Sequence, residues 1–221
     1  MNNKIIIYGT GPFAKLMHYH FTHDSDYEVS AFCLDKDYIT TSEFCDLPVV
    51  DFENVADNYP PSEYQMFVAI GYRVMRNRPL LFNKAKQKGY QLVNFISRKA
   101  IIREDLNLGE NNVIMSSCDF EPTVSIGDNN VFWTRTIIGH HAIIGHHNYI
   151  SGGGGIGGNC QVGDLCFLGN GALMINDIKI ADETYMIAGT IILKDTEIAS
   201  KYHGNPAKLI GRHADTGIQI S

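Results

Sequence analysis

From Ile102 to Ile198 every sixth residue is large and apolar. The series runs through Leu108, Ile114, Phe120, Ile126, Phe132, Ile138, Ile144 and Ile150, then Ile156, Val162, Leu168, Met174, Ile180, Met186 and Ile192. A period of six fits neither a 3.6-residue helix nor an isolated hairpin. It fits a triangular coil whose sides are each one short strand and a corner, so that three hexads close a turn and stacked turns pair through parallel ladders. The apolar side chain points into this prism. The residue two positions earlier also points inward, where little room is left, and small side chains dominate there: Ala100, Cys118, Val124, Thr136, Ala142, Gly154, Cys160, Cys166, Ala172, Thr184, Thr190 and Thr196. Asn112, Asn130 and Asn148 suit an inner asparagine stack, while Leu106 and Ile178 break the rule. Glycine follows the apolar residue at 109, 127, 139, 145, 157, 163 and 169, where it is expected to supply corners of unusual φ and ψ. The pattern predicts a left-handed parallel β-helix with a C-terminal tail over 97–221.

Residues 1–96 follow a different grammar. Lys4–Tyr8 is a short apolar run of high β propensity, followed by Gly9-Thr10-Gly11 and an amphipathic stretch to about Phe21. Glu28–Leu34 and Gln65–Ile70 read as further strands, Arg76–Lys88 as a helix closed at Gly89, and Tyr90–Ile96 as a last strand. Strand and helix in alternation predict a small Rossmann-like parallel sheet with helices on its faces.

No apolar run approaches the ~18 residues of a membrane span. The N-terminal stretch MNNKIIIYGTGPFAK has no small-residue cleavage site of the secretory kind, so a cytoplasmic protein is expected. A formal charge of −6 without a Lys/Arg cluster argues against nucleic acid as a partner. Five cysteines form no CxxC pair and are odd in number, which favours neither a zinc knuckle nor a disulfide framework. Cys118, Cys160 and Cys166 fall on the inner small positions, where packing explains them.

Gly9-Thr10-Gly11-Pro12-Phe13-Ala14 matches G-x-G-x-x-A, and Asp35 ends the next strand at about the distance of a ribose-binding acid. The domain is too short for the second half that a dinucleotide needs. Bare amides at a helix start serve a nucleotide-sugar equally well, and a packing turn without ligand is the plainer alternative.

The chain resembles the hexapeptide-repeat acyltransferases, and more narrowly the bacterial sugar acetyltransferases of the bacillosamine, perosamine and sialic-acid O-acetyltransferase type. The resemblance rests on the Gly9-Thr10-Gly11 strand–turn–helix, on Leu92-Val93-Asn94-Phe95-Ile96 leading into the coils, on Ile138-Gly139-His140-His141-Ala142-Ile143-Ile144-Gly145, and on the tail Gly204-Asn205-Pro206-Ala207-Lys208. It implies a homotrimer with active sites in the clefts between prisms, an N-terminal domain holding the nucleotide of a nucleotide-sugar, and a prism edge holding the pantetheine arm of an acyl-CoA, here acetyl-CoA. One histidine would act as general base on the sugar amine. No metal is implied.

Carried onto this sequence, the resemblance puts the base at His140. An imidazole titrating near neutrality can accept a proton that a sugar ammonium must lose before it attacks. The alternatives are His141, or a solvated corner histidine among His140, His141, His146 and His147. Relatives follow the base with a Glu where this chain has His141, carry an Asn shortly before it where Trp133 stands, and have a histidine where Phe13 stands. Gly9, Gly11, Phe13, Asp35, Trp133 and His141 are accordingly assigned to the nucleotide-sugar. Trp133 serves either as a stacking floor for the sugar or as part of the trimer contact. Tyr149, Gly158, Asn170 and Ala188 match acyl-CoA contacts by repeat position, and Lys208 is placed to meet a phosphate. O-acylation of a free sugar or sialic acid, and a nucleotide-binding scaffold whose acyl site has lapsed, are the alternative functions. His141 and His146 have the five-residue spacing of a trimeric β-helix carbonic anhydrase, but no histidine between His23 and His140 supplies a third ligand.

Overall fold

The computed structural model describes residues 3–220. Its contacts divide the chain into two compact units: one runs to Gly71 and resumes at Pro79–Phe95, and the other comprises Tyr72–Arg78 and everything from Ile96 onward.

The first unit is built on strands β1 (Lys4–Tyr8), β2 (Glu28–Leu34), β3 (Glu43–Phe44), β4 (Leu47–Asp51) and β5 (Gln65–Val68), in the order β3-β4-β2-β1-β5. β1 pairs parallel with β2 and β5, and β2 parallel with β4. β3 runs antiparallel to β4, so the sheet is mixed rather than the purely parallel one expected. The β3–β4 hairpin escapes a reading by turn residues because Cys45 and Asp46 take the positive φ of the turn, 52° and 60°, where Asn-Gly would be the usual signal. Pro48 inside β4 hides that strand further. Helix α1 (Pro12–Asp24) starts with proline in its first turn and buries Ala14, Met17 and Phe21, one stripe at helical spacing. A short α2 (Val55–Asn58) precedes β5, and α3 (Asn77–Gln87) follows it. Gly89 ends that region with φ 88°, as a helix stop requires. The expected last strand over Tyr90–Ile96 reduces to a parallel bridge from Leu92 to Met66 and a two-residue strand, Phe95–Ile96.

The second unit is the prism, a left-handed β-helix. Its two-residue strands fall into three parallel sheets, and each strand pairs with the one 18 residues on, as in Ile126 to Ile144, Phe132 to Ile150 and Ile138 to Ile156. Every apolar hexad residue from Ile114 to Ile192 is buried, and together they form one core with Cys118, Cys160, Cys166 and Ala172. Inside it Asn130 Oδ1 accepts from the Asn148 N–H at 2.9 Å, Asn112 Oδ1 accepts from the Asn130 N–H at 2.8 Å, and Asn148 Oδ1 accepts from the Cys166 N–H at 2.7 Å. The side-chain oxygens of the stack are all engaged, whereas Asn148 Nδ2 at its upper end is buried without a partner, a group that costs ~1–3 kcal/mol. The three inner thiols lie against backbone carbonyls, and burial pushes Cys166 up to about 12, which suits packing and not nucleophilic chemistry.

Two expectations need correction. Ile198 is 65% exposed, because the chain leaves the hexad register after Ile192. Strand Ser200–Gly204 takes over the ladder, pairing Tyr202 with Met186, an offset two residues shorter than one coil. The second correction concerns the glycines. Positive φ occurs three residues after the apolar position, at Asn111, Ser117, Thr123, Asn129, Arg135, His141, His147, Asn159, Leu165, Asp177 and Glu183, with Gly153, Gly171 and Gly189 completing the series. Most of these are not glycine. Their N–H groups donate to the coil below, as from Asn129 to the Glu110 carbonyl and from His147 to the Asp128 carbonyl, both at 2.8 Å. The glycines after the apolar residue have a different reason: a Cβ on Gly139 would lie 2.5 Å from the Gly158 nitrogen, and one on Gly169 2.5 Å from the Ala188 nitrogen. Stacked coils approach too closely there for any side chain.

Among the described residues no helix is long and apolar enough to cross a membrane.

Candidate active site

One capping device recurs at several corner positions of the prism. There the residue two past an apolar position turns its side chain down to cap a backbone N–H on the coil below, 18 residues earlier. Asp128 caps Glu110, Asp164 caps His146, Asp182 caps Asp164, and Asn176 caps Gly158, at 2.7–2.9 Å. His146 does the same: its Nδ1 accepts from the Asp128 N–H at 2.9 Å.

His140 occupies the same kind of position and cannot do so. The residue 18 before it is Pro122, which has no N–H. The residue 18 after it is Gly158, which has no side chain with which to cap His140. Glu121 supplies that cap instead, its carboxylate accepting from the His140 N–H at 2.7 Å. The imidazole, freed from the scaffold, lies over Gly158: a Cβ there would be 2.7 Å from both its Cε1 and its Nε2. Its Nδ1 stands 3.0 Å from Nδ1 of His141, with the rings nearly perpendicular. Both rings are exposed.

The four corner histidines therefore separate by environment. His146 is committed to a backbone cap. His147 is partly buried, and burial, with Arg78 nearby, pushes it down to about 4, so it stays neutral near pH 7 with Nδ1 3.0 Å from the Asn129 amide nitrogen. His141 is turned to His140. His140 and His141 meet through Nδ1 and cap no backbone N–H, so their Nε2 atoms face away from the contact.

Tyr149, Asn170 and Ala188 line one groove of ≈ 560 Å³, together with Trp133, Phe167 and Tyr185. Tyr149 stacks on Phe167 with centroids 5.6 Å apart, and Tyr72 meets both rings from the side. This groove follows a different corner of the prism from that of His140. Gly158 stays with His140 and not with the groove, so its missing side chain serves the imidazole. Lys208 lies exposed on the terminal hairpin, opposite His203.

Behind the groove, Arg78 is fully buried. Its Nε donates to the His147 carbonyl at 3.1 Å, its Nη2 donates to the Asn129 carbonyl, and its guanidinium lies 6.0 Å from the Tyr149 ring centroid. Burial lowers it to about 10, which leaves it charged at neutral pH. Periodicity gives no sign of this residue, since it sits outside the hexads on the segment Tyr72–Arg78. Glu121 and Pro122 were likewise missed, although counting 18 back from His140 finds the proline.

In the first unit Gly9 takes φ 131°, and a Cβ would lie 3.0 Å from the Ala69 carbonyl, so the turn itself demands glycine. Gly11 is the N-cap of α1 and has open space at its Cβ position. Phe13 is in the first turn of that helix. Asp35, just past β2, accepts from the Tyr8 hydroxyl at 2.5 Å and from Lys84 Nζ at 2.8 Å. Burial alone would raise its carboxyl, but these two bonds outweigh it and hold the group below the usual carboxylate range. The acid is thus ionised, with each oxygen already engaged once.

A mixed α/β sheet followed by a hexad prism is the architecture of the hexapeptide-repeat sugar N-acetyltransferases, and solved structures of that class match this chain over nearly its whole length. A mutant of perosamine N-acetyltransferase from Caulobacter crescentus, in complex with CoA and GDP-perosamine, is 27% identical over 94% of this chain and 97% of that one, with a TM-score of 0.85. The acetyltransferase domain of PglB from Neisseria gonorrhoeae, in complex with acetyl coenzyme A, is 21% identical over 95% and 100%, with a TM-score of 0.84, and at that identity speaks to the fold. No family model matches the sequence, and neither does any of the curated proteins.

Proposed function

We propose that this chain is an acyl-CoA-dependent N-acyltransferase that acts on the amine of a nucleotide-linked amino sugar, with acetyl-CoA as donor and His140 as general base. The observation that carries this reading is the release of His140 from scaffold duty by Pro122 below and Gly158 above. A position that caps a backbone N–H at Asp128, His146, Asp164, Asn176 and Asp182 is here left with an open Nε2. The full-length likeness to an enzyme crystallised with CoA and GDP-perosamine supports the choice of substrates.

Acyl-CoA brings a thioester carbonyl. His140 Nε2 takes the proton from the sugar nitrogen as the C–N bond forms, and returns it to the departing CoA sulfur when the C–S bond breaks. The aromatic groove at Tyr149, Asn170 and Ala188 is the proposed course of the pantetheine arm, with Lys208 toward its phosphates. Its lining holds no Asp, Glu, Lys, Arg or His, which suits an amide-bearing chain. The turn Gly9–Gly11, Phe13 and Asp35 is the proposed nucleotide-sugar site, and Trp133 and His141 are proposed to face the sugar. Because the groove and His140 occupy different corners of one prism, a neighbouring copy is needed to join them, and a homotrimer is the proposed assembly.

Free thiol released from acetyl-CoA tests this reading against a panel of nucleotide-sugars. Release is expected with a 4-amino sugar nucleotide and at background with its hydroxyl analogue. Equal release from both, or none from any amine, contradicts it.

A further inference from the structure

We propose that His141 is the positioning residue that fixes the proton of His140 on Nδ1, so that the open Nε2 carries the lone pair. The inference rests on the reading of His140 as the base, and concerns how that base is prepared.

The two Nδ1 atoms are 3.0 Å apart, within hydrogen-bond reach. Two nitrogens at that distance share a single proton, so one ring donates and the other accepts. If His141 donated, His140 would hold its own proton on Nε2 and present an N–H to the substrate, which is no base. If His140 donates, its Nε2 is unprotonated. When Nε2 then takes a proton from the sugar amine, the Nδ1–H bond to His141 strengthens, because its donor has become an imidazolium. His141 accepts throughout and keeps its own proton on Nε2. No proton passes between the rings.

The backbone holds both rings to this contact. His141 sits at φ 59°, and its N–H donates to the Pro122 carbonyl at 3.2 Å. His140 is tied by its N–H to Glu121 and by its carbonyl to the Asn159 N–H at 2.8 Å. Gly158 gives the His140 ring its seat. The charged group facing the pair from the coil below is Glu121. The coil above presents Gly158 and Asn159, and Asp177, one coil further, bonds the Asn159 amide at 3.0 Å. With an imidazole as acceptor, acid has a second point of attack: a proton on His141 Nδ1 would set two donors face to face and break the contact. Loss of that contact removes the fixed tautomer of the base.

Long-range proton–nitrogen NMR of the histidine rings, assigned with His140→Ala and His141→Phe, reads the tautomer without any turnover. Wild type near neutral pH is expected to show His140 protonated on Nδ1, and His141→Phe to lose that preference. In kinetics, His141→Phe is expected to lower kcat at least about tenfold, and His141→Gln, whose amide oxygen can accept the same proton, to recover a large part of the loss. His141→Glu is expected to shift the acid limb of the kcat profile to higher pH, because a carboxylate stabilises the imidazolium. His140 found protonated on Nε2 in wild type, or an unchanged kcat and pH profile in His141→Phe, would overturn the proposal. Failure of acyl transfer altogether would count against the proposed function and leave the NMR result standing on its own.

Discussion

His140→Ala is expected to lower amine-dependent release of CoA by about 10²–10⁴-fold in kcat, the usual contribution of a positioned general base. Thermal unfolding should barely move. The imidazole is exposed, makes no backbone cap, and loses only its contact with His141; surface changes of that kind stay within about 0.5 kcal/mol. His146→Ala serves as the contrast, because that ring caps the Asp128 N–H and its removal costs stability while sparing turnover. Steady-state kinetics beside a melting curve separate the two. If His140→Ala kept full kcat, the base would lie elsewhere.

Gly158→Ala is expected to cut kcat by about 10²-fold, although it touches no reacting atom. An added methyl would come within 2.7 Å of Cε1 and Nε2 and within 3.1 Å of Nδ1 of His140, so the ring must leave its seat. Gly158 has no positive φ, and the backbone accepts alanine without strain. The defect should therefore appear in turnover and in the His140–His141 contact, while the prism stays folded. Circular dichroism and kcat measured together check it, and a variant with wild-type turnover would show that the ring does not work from this position.

The hexad was legible because burial enforces it: an inward apolar residue recurs at every turn of a prism, and no other regular structure has that period. The same arithmetic misled at Ile198, where an apolar residue falls in register after the coil has ended. Glycine was found at the right positions for the wrong reason, since the crush between stacked coils is invisible until the 18-residue pairing is known. The α1 helix was readable from its stripe, whereas the β3–β4 hairpin turned on Cys45-Asp46, a pair without the glycine of the usual hairpin signal. Within the site, His140 came from resemblance. Its freedom came from Pro122 and Gly158, each unremarkable in sequence and informative only once they are seen to stack above and below it. Arg78 and Glu121 lie off the repeat's inward face, so periodicity has nothing to say about them.

A crystal structure of the protein with CoA and a 4-amino sugar nucleotide puts the central claim to its most direct test. The account predicts the sugar nitrogen about 2.6–3.2 Å from His140 Nε2, or joined to it through one water, with the thioester end of CoA beside it. A complex in which the amine meets another side chain, with Nε2 of His140 turned to solvent, would contradict it.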